Sequence, residues 1–389
     1  MNKIYIYWGP KSGFDKFLPN SEKVNFSELI SIRDNDLKSY RLIWGNNEEQ
    51  PNYDNNKREF KIVYYYSNQY AGITESAIHD FTGILNCFDI DSLYIQNPPI
   101  PIYEQIKDYY DNDIIIEESF DYTIFGKEHL RKLNKEFDKR IIGQDKAKID
   151  LMVSLLPFVK AKKHANPITL LFYGNSGVGK TETAKFLSDL INQHLFRKQF
   201  SMFQNDSFGE YIFGSTHSKN CLARDLLERE SNIILFDEFD KPNPVFFSAF
   251  YQLFDEGVLE DRNYRVDLKD TIIICTSNFK SVDEIRTKIG DPLFFRFDKV
   301  ICFENLTAES VVKIIDREFE RAMGTLSNDD KSIVDVSQEI NKMKKVANRI
   351  KDVRTIKKMI KEIIDSQLLF DFLKTEDEDN GQVKDADGE

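Results

Sequence analysis

The sequence predicts an α/β chain: a mostly parallel sheet with helices on both faces, a C-terminal segment of helices alone, and a small mixed α and β domain in front. Three observations carry that expectation. Short apolar runs at 168–172, 233–236, 271–275 and 299–303 recur between helix-patterned segments, the alternation of a parallel sheet covered on both sides. From 308 to 373 the pattern is helical only, with Val346, Ile350, Val353, Ile356, Ile360 and Ile364 spaced three and four apart. Residues 1–120 are instead rich in aromatics and hold strand-like runs at 3–8, 41–44 and 60–66.

In the first region the polar stretch 45–57 reads as a long loop, Thr74 as the cap of a helix reaching about Cys87, 93–95 as a further strand and Pro98-Pro99 as a break. It shows no catalytic constellation. Residues 121–140 form a connector, charged and helical from Gly126 to Arg140, which leads into a core at 141–306 and the helical segment 307–373. The stretch 374–389 holds seven acidic and two basic residues and is expected to be a disordered, solvated tail.

Composition narrows the function classes. A chain of 389 residues, 41% hydrophobic and 30% charged, has room for two domains and is not disordered throughout. Its net charge is 53 − 65 = −12, which argues against a broad nucleic-acid footprint. Lys160, Lys162, Lys163 and His164 make the one basic run, read as a solvated face. No apolar run reaches the roughly 18 residues that span a bilayer, and residues 1–8 alternate instead of forming a signal-peptide core, so a cytoplasmic protein without membrane contact is expected. Cys87, Cys221, Cys275 and Cys302 are far apart and the five His are scattered, which indicates neither disulfides nor a zinc site.

Gly174-Asn175-Ser176-Gly177-Val178-Gly179-Lys180-Thr181 fits G-x4-G-K-[ST] and stands after an apolar strand and before a helix. Its glycines let backbone N–H groups converge on phosphate oxygens, Lys180 reaches the β and γ phosphates, and the Thr181 hydroxyl ligates Mg²⁺. Glu182 follows in the same nucleotide-binding set. Trp8-Gly9-Pro10-Lys11-Ser12-Gly13 also follows a strand, but its proline removes a donor and the stretch reads as an ordinary turn. The run 233–236 leads straight into Asp237-Glu238, placing two carboxylates at the strand end where ligands of open α/β sheets collect. Asp237 is suited to hold Mg²⁺ through water and Glu238 to activate an attacking water, which suggests hydrolysis and not binding alone.

Taken together, these motifs resemble the AAA+ superfamily of P-loop NTPases, and within it the Clp-type unfoldases, most closely the second ATPase module of ClpA and ClpB, over about 135–373. Ile141-Ile142-Gly143-Gln144-Asp145-Lys146-Ala147 resembles the family's box before the P-loop, whose two apolar residues contact adenine. Phe254-Asp255-Glu256-Gly257, Arg262, Val266-Asp267 and the stretch 271–278 follow the family's order of helix, hairpin and sensor strand. The resemblance implies ATP and Mg²⁺ as cofactors, a helical lid at 307–373, Asn278 as sensor 1, Arg296 as an arginine finger acting in a neighbouring subunit, and Arg354 as sensor 2, though without the usual Gly-Ala before it. It also implies a homo-hexamer that threads a protein client, gripped by a loop to which Gly209-Glu210-Tyr211-Ile212-Phe213-Gly214 is similar. Either Tyr211 or Phe213 could be the gripping ring, and burial of Tyr211, Ile212 and Phe213 in the core is the alternative. Ile289-Gly290-Asp291 reads as a helix end, so no loop for docking a protease barrel is indicated. A remodelling ATPase whose residues 1–120 recruit the client is expected first; a nucleic-acid loader or a nucleotide-driven scaffold is the competing class.

Overall fold

The structure, a computed structural model, describes residues 1–31, 57–160, 166–202 and 207–386, with no side-chain description for 336 and 374–386. The expected strand at 41–44, nearly all of the expected loop at 45–57, and Lys162, Lys163 and His164 lie outside the described residues.

In the first region β1 (Lys3–Trp8), β2 (Val24–Asn25), β3 (Glu59–Tyr65), β4 (Asp89–Gln96) and β5 (Ile115–Ser119) form one sheet in the order β2-β3-β4-β1-β5. Every pairing in it is parallel. Alternate residues of β1 and β4, such as Ile4, Ile6, Leu93 and Ile95, are buried in a core shared with Phe26, Tyr65, Tyr70 and Phe81. Thr74 caps a helix as expected, its Oγ1 accepting from the Ala77 N–H at 3.3 Å. That helix is interrupted: Glu75–His79 and Phe81–Leu85 meet at Asp80.

After the helices Lys127–Arg140 and Asp145–Lys160 the second sheet begins. It comprises β6 (Ile168–Tyr173), β7 (Phe196–Gln199), β8 (Ile233–Asp237), β11 (Ile272–Thr276) and β12 (Lys299–Cys302) in the order β12-β6-β11-β8-β7, again all parallel. Between β8 and β11 stands the antiparallel hairpin β9 (Val258–Glu260) and β10 (Arg265–Asp267). The strands read as unbroken apolar runs because both faces are covered. Ile234, Phe236, Ile273 and Cys275 enter one core, and Ile233, Leu235, Ile272 and Ile274 the other.

The C-terminal helices Ala308–Thr325, Asn328–Ile333, Val336–Lys345 and Val353–Ala386 share a separate core around Ile314, Ile315, Ile356, Ile360 and Ile364. The last helix does not stop near Leu373 but runs on to Ala386. Once a helix is nucleated, each further residue adds a hydrogen bond without a new nucleation cost, and like charges are not enough to end it.

The first region meets the second through both main-chain and side-chain groups. The Ile100 N–H donates to Asn263 O at 2.7 Å, and a His217 ring nitrogen lies 2.7 Å from Ile73 O. Among the described residues no helix is long and apolar enough to cross a membrane.

Candidate active site

The phosphate loop leaves β6 at Gly174 and enters the helix Lys180–Leu190. Gly177 has φ +75 and packs so closely that a Cβ there would lie 2.6 Å from Asp352 Cβ; only glycine satisfies both demands. Lys180 is buried, and its ammonium donates to Gly174 O at 2.6 Å, Asn175 O at 2.7 Å and Asn278 Oδ1 at 3.2 Å. Burial holds Lys180 down to about 8; Asp240 and Asp237 oppose that shift and Arg354 adds to it. A polyanion beside this group favours its charged form.

Asp237 ends β8, and Thr181 Oγ1 donates to its Oδ1 at 3.4 Å, while Thr276 Oγ1 makes a short bond to the same oxygen. A hydroxyl and a carboxylate side by side form a hard-oxygen set that fits Mg²⁺, which keeps most of its waters and takes the rest of its ligands from phosphate. Glu238, the next residue, has φ +58, a left-handed backbone costing a non-glycine residue on the order of 1 kcal/mol. Its N–H donates to Thr276 Oγ1 at 3.0 Å, which pins the turn and carries the carboxylate off the strand axis.

Two partners of these carboxylates escaped the sequence reading. Arg197 donates to Asp237 Oδ2 through Nε at 3.0 Å and Nη2 at 2.5 Å, and Gln199 Nε2 donates to Glu238 Oε2 at 3.1 Å. Both project from β7, two residues apart and so on one face. The signal was present as a short polar strand, but Phe196–Gln199 carries no apolar run to announce itself.

Lys180, Thr181, Asp237, Glu238, Asn278 and Arg354 line one cavity of about 1270 Å³, and Ile141 and Ile142 line it too. That exceeds the roughly 300–1,000 Å³ of ordinary ligand pockets, so a nucleoside triphosphate with its metal can enter. Arg354 stands one residue into the last helix, whose Val353 N–H donates to Gly177 O at 3.1 Å, fastening lid to phosphate loop. Ser176, Gly177, Val178 and Gly179 line the cavity, whereas Gly174 and Asn175 act through the carbonyls that receive Lys180. Glu182 lines it too, and is paired with Arg140 at 2.7 Å.

Arg296 is elsewhere. Its Nε pairs with Asp255 Oδ2 at 2.7 Å, its Nη1 donates to Pro292 O at 2.5 Å, and its guanidinium lies 4.3 Å from the Tyr251 ring centroid, away from the cavity of its own chain. Ile289 and Asp291 flank Gly290, φ +80, which ends one short helix and starts the next, as expected.

The candidate gripping loop is corrected in part. Tyr211, Ile212 and Phe213 lie in a helix, Ser207–Phe213, and Tyr211 and Ile212 belong to the core, where the Tyr211 hydroxyl donates to Asp225 Oδ2 at 2.6 Å. The helical turn points their side chains inward, and burying a large ring is worth more than exposing it. Phe213 alone is 48% exposed, with its ring 6.4 Å from that of Phe246. Tyr211→Ala is therefore expected to destabilise by about 3–5 kcal/mol and Phe213→Ala by about 0.5 kcal/mol or less, measured as denaturant midpoints; equal midpoints would contradict this placement.

Comparison with known proteins agrees with the geometry. The family model for the AAA domain (Cdc48 subfamily) matches residues 165–323. The chaperone protein ClpB of Meiothermus ruber is 29% identical over 245 residues, 55% of this chain and 29% of that protein. The ATP-dependent Clp protease ATP-binding subunit ClpL of Staphylococcus aureus is 31% identical over 238 residues, 54% of this chain and 34% of that protein. The chain thus spans about a third of the length of these relatives. A closed-state cryo-electron-microscopy reconstruction of Hsp104 with ATPγS and FITC casein matches with a TM-score of 0.54 over 96% of this chain and 89% of the other, at 13% identity, a likeness of fold. Motif order and relatives agree: residues 165–323 match the AAA domain model, and the chain is similar over about half its length to ClpB and ClpL.

Proposed function

We propose that this chain binds ATP with Mg²⁺, hydrolyses it, and spends the conformational change on remodelling a protein client, as part of a cytoplasmic ring of identical subunits, most simply a hexamer. The observation that carries the chemistry is the meeting of Lys180, Thr181, Asp237, Glu238, Asn278 and Arg354 around one cavity. Lys180 and the loop N–H groups hold the β and γ phosphates; Thr181, and Asp237 through water, hold Mg²⁺. Glu238 takes the proton of the attacking water, Asn278 fixes that water or the γ-phosphate, and Arg354 brings the lid's charge to the nucleotide. Ile141 and Ile142 offer an apolar wall to the adenine. Work on a protein client follows from the likeness to ClpB and ClpL; residues 1–120 recruit that client, and Phe213 beside Phe246 is the surface through which it is gripped. Nucleic acid and membrane are not among the proposed partners.

Lys180→Ala tests the nucleotide reading directly. Its ammonium sits where the phosphates belong, so the variant is expected to lose nucleotide affinity by about 10²-fold or more, the size of one or two charge-assisted contacts, without loss of helical circular dichroism. Binding of a fluorescent ATP analogue measures it; unchanged affinity would remove the assigned role.

A further inference from the structure

We propose that the N-terminal domain carries a carboxylate-binding site at the C-terminal edge of its parallel sheet, and that Glu228 of the ATPase module fills this site as a tethered ligand. β1 and β4 lie side by side in register, Tyr7 opposite Gln96, and both end at this edge. Their crossovers leave in opposite directions, from β1 to β2 and from β4 to β5. Ligands of open α/β sheets collect in the crevice beyond such strand ends.

Gln96 and Asn97 close β4 there, 1% and 0% exposed. Two buried amides are costly unless every polar group is partnered. Each is oriented by a main-chain N–H: Gly9 donates to Asn97 Oδ1 at 2.9 Å, and Ser67 to Gln96 Oε1 at 3.2 Å. Their NH₂ groups therefore face the same place. Asn97 Nδ2 donates to Glu228 Oε1 at 2.9 Å, Gln96 Nε2 reaches both Glu228 oxygens at 3.0 and 3.1 Å, and the Lys11 N–H donates to Oε2 at 3.1 Å. Ser12 Oγ bonds Glu230 next to it. The segment from Trp8 to Gly13, expected to be an ordinary turn, runs into a short helix, Lys11–Phe17, whose first two residues supply the Lys11 N–H and the Ser12 hydroxyl.

Three donors converge on one carboxylate, and among the described residues no ion pair reaches it. The Lys11 ammonium sits over the Tyr66 ring at 4.8 Å, and the Arg229 guanidinium over Tyr122 at 4.3 Å. Burial pushes the Glu228 carboxyl up, and the bonds from Asn97 and its neighbours pull it back. Recognition by oriented neutral dipoles reads the shape of a carboxylate, not merely a negative charge. Glu228 follows the helix Leu222–Leu227 and stands five residues before Ile233, where β8 begins its run to Asp237. The site is consequently open to a free carboxylate only when the ATPase module withdraws Glu228.

The test uses the full-length protein and sodium propionate, which reproduces the Glu228 side chain beyond Cα, against sodium chloride at equal ionic strength. Glu228→Ala is expected to lower Tm by about 4–8 °C. Propionate should restore at least half of that loss saturably, leaving the wild type and Glu228→Ala/Asn97→Gly unmoved. Asn97 has φ +43, so glycine keeps its backbone and removes only the amide. No nucleotide enters the readout, so it stands apart from the ATPase reading. Propionate shifting all three proteins alike, shifting none, or Glu228→Ala melting with the wild type would each overturn the site. If Glu228→Ala cannot be isolated folded, its refolding yield is compared instead: recovery in propionate but not chloride supports the site, and recovery in both or neither overturns it.

Discussion

Glu238→Gln is expected to bind ATP almost as the wild type does and to lose turnover by about 10²–10⁴-fold, the usual contribution of a positioned general base. Glutamine has the size of glutamate, and its side-chain oxygen can still accept from Gln199 Nε2, which reaches Glu238 Oε2 at 3.1 Å in the wild type. The left-handed turn at Glu238 is fixed by a main-chain N–H donating to Thr276 Oγ1 at 3.0 Å, independently of the side chain. On the proposed reading the substitution removes a proton acceptor and nothing that touches the phosphates, which are assigned to Lys180 and the loop N–H groups. Equilibrium binding of nucleotide and single-turnover phosphate release separate the two effects. Hydrolysis at the wild-type rate would show that Glu238 is not the base. Because the variant holds ATP without spending it, the protein that co-purifies with it is the most direct report on the client.

The contrast with Lys180→Ala, which loses the nucleotide itself, shows why the phosphate machinery was legible in the sequence and other parts were not. G-x4-G-K-T and an apolar run ending in Asp237-Glu238 are local signals, since glycine, lysine and a strand-end acid each act where they stand. Strands β6, β8 and β11 announced themselves because both sheet faces are buried and every residue had to be apolar. Arg197 and Gln199 were missed for the opposite reason. Strand β7 is an edge strand, its polarity matches a loop, and its two functional side chains acquire meaning only beside β8. β2, two residues long, and the half-exposed β5 gave no pattern either, so the first domain read as mixed α and β, as it is, while the parallel order of its five strands stayed hidden. Tyr211 and Ile212 show a further limit: a flanked aromatic trio reads equally as a gripping loop or a buried helix, and the partner that decides, Asp225, lies fourteen residues on. Glu228 was silent for the same reason, since its donors belong to another domain.

Arg296→Ala is expected to leave the fold and the nucleotide affinity of its own chain intact and to cut turnover of the assembled protein by about 10³–10⁵-fold, the range for an arginine supplied to a phosphoryl-transfer site. Its guanidinium does not line the cavity of its own chain, so any action on the γ-phosphate must be delivered to a neighbour. The rival explanation is structural, because Arg296 pairs with Asp255 at 2.7 Å on a partly exposed surface. Such a pair is worth about 0–1 kcal/mol, far too little to account for a loss of that size. Asp255→Ala decides between them: it frees Arg296 without removing it, and should keep turnover within a few fold, whereas a structural role predicts the same loss from either side. Arg296→Lys should rescue poorly, since an ammonium lacks the planar fork that meets two phosphate oxygens. Mixing Arg296→Ala with Glu238→Gln chains completes the argument. Each is inactive alone, but a Glu238→Gln subunit still offers its Arg296 to a neighbour whose Glu238 is intact, so partial recovery of phosphate release is expected in the mixture. A mixture no more active than its components, or a monomer by light scattering in ATP and Mg²⁺ with an undiminished rate per chain, would place Arg296 outside the chemistry.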